Sequence, residues 1–303
     1  MTVAIIILAV LLALLCGAGL YVAGTVVNGK RQTLEEARAW QQAHYDLSWY
    51  GALEKEDYTV ESDDGYVLHA QFLRNPVPSE KYVILSHGYT DNRFGALKYA
   101  RIYLNLGYNL VIYDLRGHGL NAPAYCTYSI RERKDLAAMI ADTKKRHPEA
   151  ATLGLHGESL GAATSVAVLE GRPPVDFVVA DCGFAEIVPV LKGAMKGMKL
   201  PDWLVDLGGI AAKVRYGYAF NEMRPIDSLA GNTVPILFIH GAADDFITPD
   251  HSRRMQAATA GESELHLIEG APHAASVLTA PGLYAEYVAA FLEKVEGGMV
   301  RKE

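Results

Sequence analysis

The stretch from residue 152 to residue 169 constrains the fold of this chain most. It reads Thr-Leu-Gly-Leu-His-Gly-Glu-Ser-Leu-Gly and continues as Ala-Ala-Thr-Ser-Val-Ala-Val-Leu. This pattern predicts a short apolar strand, a tight Gly-x-Ser-x-Gly turn and then a helix. Gly157 and Gly161 flank the turn, where a Cβ would collide with the neighbouring strand or helix. Ser159 is therefore predicted on a sharp bend at the end of a sheet, with the positive end of the helix directed at its hydroxyl.

A five-residue motif also occurs by chance, so the rest of the chain must show whether Ser159 is a nucleophile. Apolar runs typical of buried strands alternate with helical stretches, and a hairpin with an Asp-Asp-Gly turn precedes them. The predicted strands are 58–62, 67–74, 82–86, 109–113, the run beginning at 152, 177–180, 235–239 and 264–268. This alternation predicts an α/β domain with a mostly parallel, eight-stranded sheet and helices on both faces.

Polar residues follow the carboxyl ends of these strands, where open α/β sheets bind ligands. A serine nucleophile needs a base to take its proton and a group to orient that base. His273 is the predicted base, since it follows a strand and precedes a helix. Asp244 is the preferred orienting acid, with Asp245 and Asp181 as alternatives. The order Ser159, Asp244, His273 is the Ser…Asp…His order of one hydrolase fold.

An oxyanion needs preset N–H donors. The backbone N–H of Leu160 is one candidate, because it directly follows the serine. The backbone N–H of Tyr89 is the other, because Gly88 lets the chain turn toward the pocket. Other histidines precede glycines at strand ends and are predicted to shape loops; they are His87, His156 and His240.

Together these pieces resemble the α/β-hydrolases, and in particular the serine aminopeptidase-like branch of bacterial hydrolases. The matching segments are His87-Gly88-Tyr89, Asp114-Leu115-Arg116-Gly117-His118-Gly119, Gly157-Glu158-Ser159-Leu160-Gly161, His240-Gly241-Ala242-Ala243-Asp244 and Ala271-Pro272-His273-Ala274. The resemblance implies an α/β-hydrolase fold with a Ser-His-Asp triad and favours Asp244 over Asp245. It does not imply a substrate, because the same scaffold serves many chemistries.

Three functions follow from this interpretation. The first is a serine hydrolase of carboxylic esters, which needs neither a metal nor an organic cofactor. The second is a peptidase or amidase with the same triad, in which Glu158, Glu186 or Glu222 would hold the substrate amine. The third is a binding protein without turnover. The small-molecule substrate would be an ester or an amide. A net charge of −7 without a concentrated basic face excludes a nucleic-acid partner.

The first 29 residues carry no charged side chain. Val3 to Val27 is almost entirely apolar, and as a helix it would be about 37 Å long, enough to cross a bilayer. The alternative is a cleaved signal peptide, but no basic residue precedes the run and the run exceeds a signal core of about 7–15 residues. Residues 1–29 are therefore predicted to form a single-pass membrane anchor. Lys30 and Arg31 follow it, and the positive-inside rule then places the catalytic domain in the cytoplasm.

Residues 30–57 are predicted as a juxtamembrane helical segment, with Leu34, Ala37, Trp40 and either Tyr45 or Leu47 on one apolar face. Residues 58–303 are predicted as the hydrolase domain, with a small helical cap inserted at about 184–230. Met195, Met198 and Trp203 of that cap either contact substrate or pack the cap onto the core. The sequence leaves open whether Cys126 and Cys182 are free or paired, and it does not predict an oligomeric state.

Overall fold

The computed structural model describes residues 1–300, with side chains up to Gly298; residues 301–303, the end of the expected 58–303 domain, lie outside the described residues. The helices are α1 (Thr2–Val27), α2 (Leu34–His44), α3 (Ser48–Ala52), α4 (Leu97–Asn105), α5 (Glu132–Arg146), α6 (Leu160–Ala167), α7 (Ile187–Gly197), α8 (Trp203–Tyr216), α9 (Asp250–Ala258), α10 (Ser276–Thr279) and α11 (Pro281–Val300). Short 3₁₀ helices cover Arg93–Ala96, Val168–Gly171, Phe220–Glu222 and Pro225–Ser228. The strands are β1 (Lys55–Glu61), β2 (Val67–Leu73), β3 (Lys81–Ser86), β4 (Tyr108–Tyr113), β5 (Thr152–Glu158), β6 (Phe177–Asp181), β7 (Ile236–Gly241) and β8 (Ser263–Ile268).

The eight strands form one sheet in the order β1-β2-β4-β3-β5-β6-β7-β8. β1 and β2 form the predicted antiparallel hairpin, and the strands from β4 to β8 in this order run parallel. The predicted fold is confirmed. β5 lies between β3 and β6, so the residue that follows it emerges at the middle of the sheet's carboxyl edge. β1 begins at Lys55, paired with Leu73, three residues before the predicted start of the domain at 58.

The N-terminal helix α1 is only partly free of the domain. Its residues up to Gly17 are exposed, whereas Val22, Ala23, Val26 and Val27 are at most 9% exposed and belong to the main hydrophobic core. These buried residues pack against α8 of the cap. Among residues 1–300, α1 is the one helix long and apolar enough to cross a membrane.

The helix α2 begins with a capping box that the sequence reasoning overlooked. The Thr33 side chain accepts the N–H of Glu36, and the Glu36 carboxylate accepts the N–H of Thr33. The predicted apolar face is only partly correct: Ala37 and Gln41 are buried, whereas Trp40 is 40% exposed. Trp40 lies instead at the edge of a pocket described below.

The cap between β6 and β7 consists of α7, α8 and two 3₁₀ turns. Met195 packs against the main core, which is the packing role considered for it. Met198 and Trp203 are 58% and 49% exposed and lie away from the serine pocket. The structure therefore gives neither of them a substrate contact. Cys126 and Cys182 are both free and buried.

Candidate active site

Ser159 occupies the sharp bend between β5 and α6. Its backbone has φ 52° and ψ −110°, a strained combination for a residue with a side chain. A Cβ on Gly157 would collide with the backbone of Gly161 and Ala162, and a Cβ on Gly161 would collide with the carbonyl of Ser86. The two glycines therefore allow the close packing that holds Ser159 in this conformation.

Three side chains from three separate loops meet at this bend. The Oγ of Ser159 lies 3.0 Å from Nε2 of His273, and Nδ1 of His273 lies 2.6 Å from Oδ2 of Asp244. Since an ionised carboxylate only accepts hydrogen bonds, Nδ1 carries the proton and Nε2 is left to accept from the serine hydroxyl. The structure thus brings together the three residues that the sequence proposed, in one hydrogen-bonded series from Asp244 through His273 to Ser159.

Asp244 is held in its ionised form. Burial by itself would raise its pKa, but hydrogen bonds from His240 and His273 and from the backbone N–H of Ile247 hold the pKa of this carboxyl well below its usual range. A carboxylate that stays charged can keep His273 in the required tautomer. Asp245 is exposed and takes no part in these contacts.

His240 has a role that the sequence reasoning did not specify. Its Nε2 lies 2.7 Å from the carbonyl of Ile247 and 3.2 Å from Asp244, and both partners are acceptors. Nε2 is therefore the protonated nitrogen, and Nδ1 accepts from the Ser252 hydroxyl at 2.7 Å. The expectation that this histidine shapes its loop holds, and the side chain also fixes the carboxylate of Asp244.

The backbone at both predicted oxyanion donors lies close to the serine. Leu160 begins α6, directly after Ser159. The Gly88–Tyr89 loop passes so close that a Cβ on Gly88 would lie 3.7 Å from the Cβ of Ser159. Among the described residues, no acceptor is found for the backbone N–H of Tyr89 or of Leu160. Both N–H groups are thus available to a ligand at this position.

Ser159 and His273 open into a pocket of about 320 Å³. Its wall consists of residues from the Tyr89 loop, α4, the His273 loop and the segment after α1. The full lining is Gln32, Trp40, Gly88, Tyr89, Thr90, Asp91, Lys98, Glu158, Ser159, His273, Ala274, Ala275 and Leu278. The 30–57 segment therefore forms part of the pocket, although no chemistry was assigned to it from the sequence. The 184–230 cap contributes no residue to this lining.

The segment after α1 is fastened to the loops around the serine. The N–H of Gln32 donates to the carbonyl of Thr90 at 2.7 Å, which places Gln32 at the pocket wall. The Arg31 guanidinium donates to the carbonyls of Gly117 and Ala124. These polar contacts hold the segment against the hydrolase domain.

A buried ion pair lies beside Ser159. Lys98 of α4 contacts the carboxylate of Glu158, and both side chains are at most 6% exposed. Burial by itself would lower the pKa of Lys98, but the negative charge and the hydrogen bond of Glu158, with smaller contributions from Tyr45 and Asp91, together raise it, so Lys98 stays protonated. The Tyr99 hydroxyl joins this pair to Asp181, lying 2.5 Å from Glu158 and 3.0 Å from Asp181. Asp181 thus lies in this network and not beside His273.

A larger apolar cavity of about 350 Å³ lies between α3, α4, α10, α11 and the segment after α2. It shares Lys98 with the serine pocket but does not include Ser159 or His273. A reaction at Ser159 and His273 would therefore take place in the smaller pocket and not in this cavity.

Comparison with known proteins agrees with the fold. The family model described as serine aminopeptidase, S33, matches residues 78–232, just over half of the chain. The protein YqkD of Bacillus subtilis is 29% identical over 272 residues, which cover 88% of this chain and 89% of that protein. The plant protein WAV2 of Arabidopsis thaliana, an α/β-hydrolase domain-containing protein, is 25% identical over 69% of this chain and 68% of its own.

Two solved structures share the fold. The Pyrococcus furiosus esterase Pf2001 has a TM-score of 0.67 at 24% identity, covering 82% of this chain and 95% of its own. An acylaminoacyl peptidase of Pyrococcus horikoshii has a TM-score of 0.62 at 15% identity, covering 80% of this chain and 41% of its own. The family model matches just over half of the chain, and the eight-stranded sheet and the strained bend at Ser159 are consistent with it. This chain therefore belongs to the serine aminopeptidase S33 family of the α/β-hydrolase superfamily.

Proposed function

We propose that the protein is a membrane-anchored serine hydrolase that cleaves carboxylic esters. Ser159 is the nucleophile, His273 is the general base and then the general acid, and Asp244 orients His273. The backbone N–H groups of Leu160 and Tyr89 stabilise the oxyanion. The observation that carries this proposal is the hydrogen-bonded connection from buried Asp244 through His273 to the Ser159 hydroxyl.

The reaction proceeds in two steps. The Oγ of Ser159 forms a bond to the ester carbonyl carbon while its proton passes to Nε2 of His273. The carbon–oxygen bond to the alcohol then breaks, and His273 returns the proton to the departing alkoxide. A water molecule, deprotonated by His273, next attacks the acyl carbon; the bond from this carbon to Oγ breaks, His273 returns its proton to Oγ, and the carboxylic acid leaves.

Labelling with a fluorophosphonate tests the nucleophile directly. The reagent forms a covalent bond with an activated serine and should label the full-length protein once, at Ser159. Ser159→Ala is the blank and should remain unlabelled while keeping the wild-type fold by circular dichroism. A folded wild-type protein that resists labelling would remove Ser159 from the mechanism and favour the binding-protein alternative.

The same triad also suits a peptidase or amidase, so the surroundings of the three proposed amine-binding carboxylates matter. Glu186 forms ion pairs with two arginines, and Glu222 pairs with a lysine, and neither lines the serine pocket. Glu158 does line it, but Lys98 already neutralises its charge. An aminopeptidase needs an unneutralised carboxylate near the serine. This arrangement favours esters over aminoacyl substrates.

Asp91 keeps the amidase candidate open, because this carboxylate also lines the pocket. Burial raises its pKa, which weakens it as a partner for a substrate ammonium group at neutral pH. Comparison of kcat/KM for p-nitrophenyl acyl esters and aminoacyl anilides separates the two functions. We expect a preference for the esters; a preference for the anilides that Asp91→Asn abolishes would establish the amidase instead.

We also propose that α1 remains attached as a membrane anchor and that the hydrolase domain is cytoplasmic. The support for an uncleaved helix is that Val22, Ala23, Val26 and Val27 are part of the domain's own core, so signal cleavage after α1 would remove core side chains. Mass spectrometry of the protein isolated from membranes should detect residues from α1. A protease added to intact cells should leave the hydrolase domain uncleaved. Cleavage of the domain by this external protease would place it outside the cell instead.

A further inference from the structure

The cap helix α8 and the N-terminal helix α1 run in the same direction and end at one loop. The N–H of Cys126 donates to the carbonyl of Val27 at the end of α1. Just beyond the end of α8, the Tyr218 hydroxyl donates to the carbonyl of Cys126. The rings of Tyr216 and Tyr125 pack with their centroids 4.4 Å apart. Because both C-terminal ends meet there, the N-terminal ends of the two helices point to the same side of the molecule.

The depth of α8 along α1 follows from a close approach of the two backbones. A Cβ on Gly19 of α1 would lie 3.1 Å from Leu207 of α8. Trp203, where α8 begins, is four residues before Leu207, which is about 6 Å further toward the N-terminus of α1. Trp203 therefore lies approximately level with Leu15.

The part of α1 beyond this level is too short to span a membrane alone. The segment from Thr2 to Leu15 would be about 21 Å long, whereas the hydrocarbon layer is about 30 Å thick. All of α1 together is about 39 Å long, which suffices. If α1 crosses the bilayer, the start of α8 must therefore lie at the depth of the membrane surface or below it.

The surface at this depth has the chemistry of a bilayer interface. We call residues 196–203 the cap tip; they are the last two residues of α7, the turn that follows and the first residue of α8. Met198, Leu200 and Trp203 of the cap tip are 46–58% exposed. Lys196 and Lys199 flank them, are exposed, and form no ion pair within residues 1–300. Apolar and aromatic side chains beside free lysines suit the boundary between acyl chains and anionic headgroups.

We propose that the cap tip inserts into the headgroup region of the same bilayer that α1 spans. Trp203 and Leu200 reach the acyl boundary, and Lys196 and Lys199 contact lipid phosphates. This inference rests on the proposed membrane anchor. It adds a second attachment beside α1, which fixes the orientation of the hydrolase domain relative to the membrane and makes the cap a docking element.

Depth-dependent fluorescence quenching tests the insertion. The full-length protein is reconstituted into nanodiscs of phosphatidylcholine and phosphatidylglycerol with a lipid that carries a doxyl quencher near the headgroup. A variant with Trp40→Phe and Trp49→Phe retains only Trp203. The matched control, with Trp40→Phe and Trp203→Phe, retains only Trp49. We expect the quenching constant of Trp203 to exceed that of Trp49 about three-fold or more.

The outcomes separate docking from anchoring. Flotation of both variants with liposomes, together with strong quenching of Trp203 alone, supports the proposal. Flotation with equally weak quenching of both tryptophans would overturn docking and leave the anchor standing. Protection of Trp203 from aqueous iodide without quenching by the doxyl lipid would also overturn it and assign the surface to a protein partner. Failure to float would overturn both the anchor and the docking.

Discussion

The phenol oxygen of Tyr89 accepts a hydrogen bond from the backbone N–H of Gly29 across 2.7 Å. The same hydroxyl donates to the carbonyl of Val26 at 3.3 Å. Tyr89 belongs to the loop beside Ser159, and its own N–H is a proposed oxyanion donor. The end of the N-terminal helix is therefore joined, through the Tyr89 side chain, to the loop beside Ser159.

Substitution of Gly29 by alanine should perturb this loop, because the new Cβ would collide with the Tyr89 ring. Complete loss of an oxyanion donor costs about 10²–10³ in kcat, and we expect displacement by Gly29→Ala to lower kcat about ten-fold with little change in KM. Steady-state hydrolysis of a water-soluble p-nitrophenyl ester in detergent measures both constants. Gly17→Ala, at an open position within α1, is the control and should match the wild type. Equal kcat values for Gly29→Ala and Gly17→Ala would argue against an effect of the Gly29–Tyr89 contact on the reaction.

The two neighbouring aspartates should differ sharply in their effect on activity. Asp244→Asn keeps the shape but lets an amide face Nδ1 of His273, which favours the wrong tautomer, so kcat should fall by up to about 10⁴. Asp245→Asn removes an exposed charge that touches none of the three residues and should leave kcat within a factor of about two. Ester hydrolysis by both variants at one pH decides the assignment. A larger loss for Asp245→Asn would reverse it.

Removal of one partner of the buried Lys98–Glu158 pair should destabilise the fold, because the other partner stays buried without its counter-charge. Lys98→Met leaves Glu158 buried without a counter-charge, so the free energy of unfolding should fall by about 3–5 kcal/mol. The double variant Lys98→Met/Glu158→Gln removes both charges and should recover most of that loss. Urea denaturation in detergent at pH 7 measures the three proteins. A double variant no more stable than Lys98→Met would show that the loss came from packing rather than charge.

Asp181 should make stability depend on pH in a defined direction. Burial, followed by the charge of Glu158, raises the pKa of Asp181 to about 6. A carboxyl with a raised folded-state pKa stabilises the fold most below its unfolded pKa of about 4, and this contribution is lost as pH rises to about 6. A shift of this size corresponds to at most about 3 kcal/mol. The unfolding free energy of the wild type minus that of Asp181→Asn should therefore decrease from pH 4 to pH 6 and stay constant above pH 6.

Urea titrations of both proteins at several pH values between 4 and 8 check this dependence. The conservative asparagine retains a partner for the Tyr99 hydroxyl, which limits the comparison to the charge. A difference that does not change with pH would mean that Asp181 has an ordinary pKa despite its burial.

The sequence by itself determined the scaffold. Strand-length apolar runs and the glycines around Ser159 are local signals, because each reflects the backbone geometry that a few neighbouring residues allow. They predicted the parallel sheet and marked Ser159, Asp244 and His273 as candidates. Since parallel strands end at a common edge, chain order was enough to suggest that these three would meet. Their catalytic roles remain proposals.

Only the tertiary structure decided which residues surround Ser159, Asp244 and His273. The pattern of α2 showed that one face would be buried but not that Trp40 would reach the serine pocket. The pairing of Lys98 with Glu158, and of α1 with α8, joins residues far apart in sequence. Such contacts depend on how elements pack and on which charges lose their water together, and local propensity does not record either. For this reason the N-terminal helix looked like a separate anchor in the sequence, whereas in the folded protein its last turns are part of the hydrophobic core.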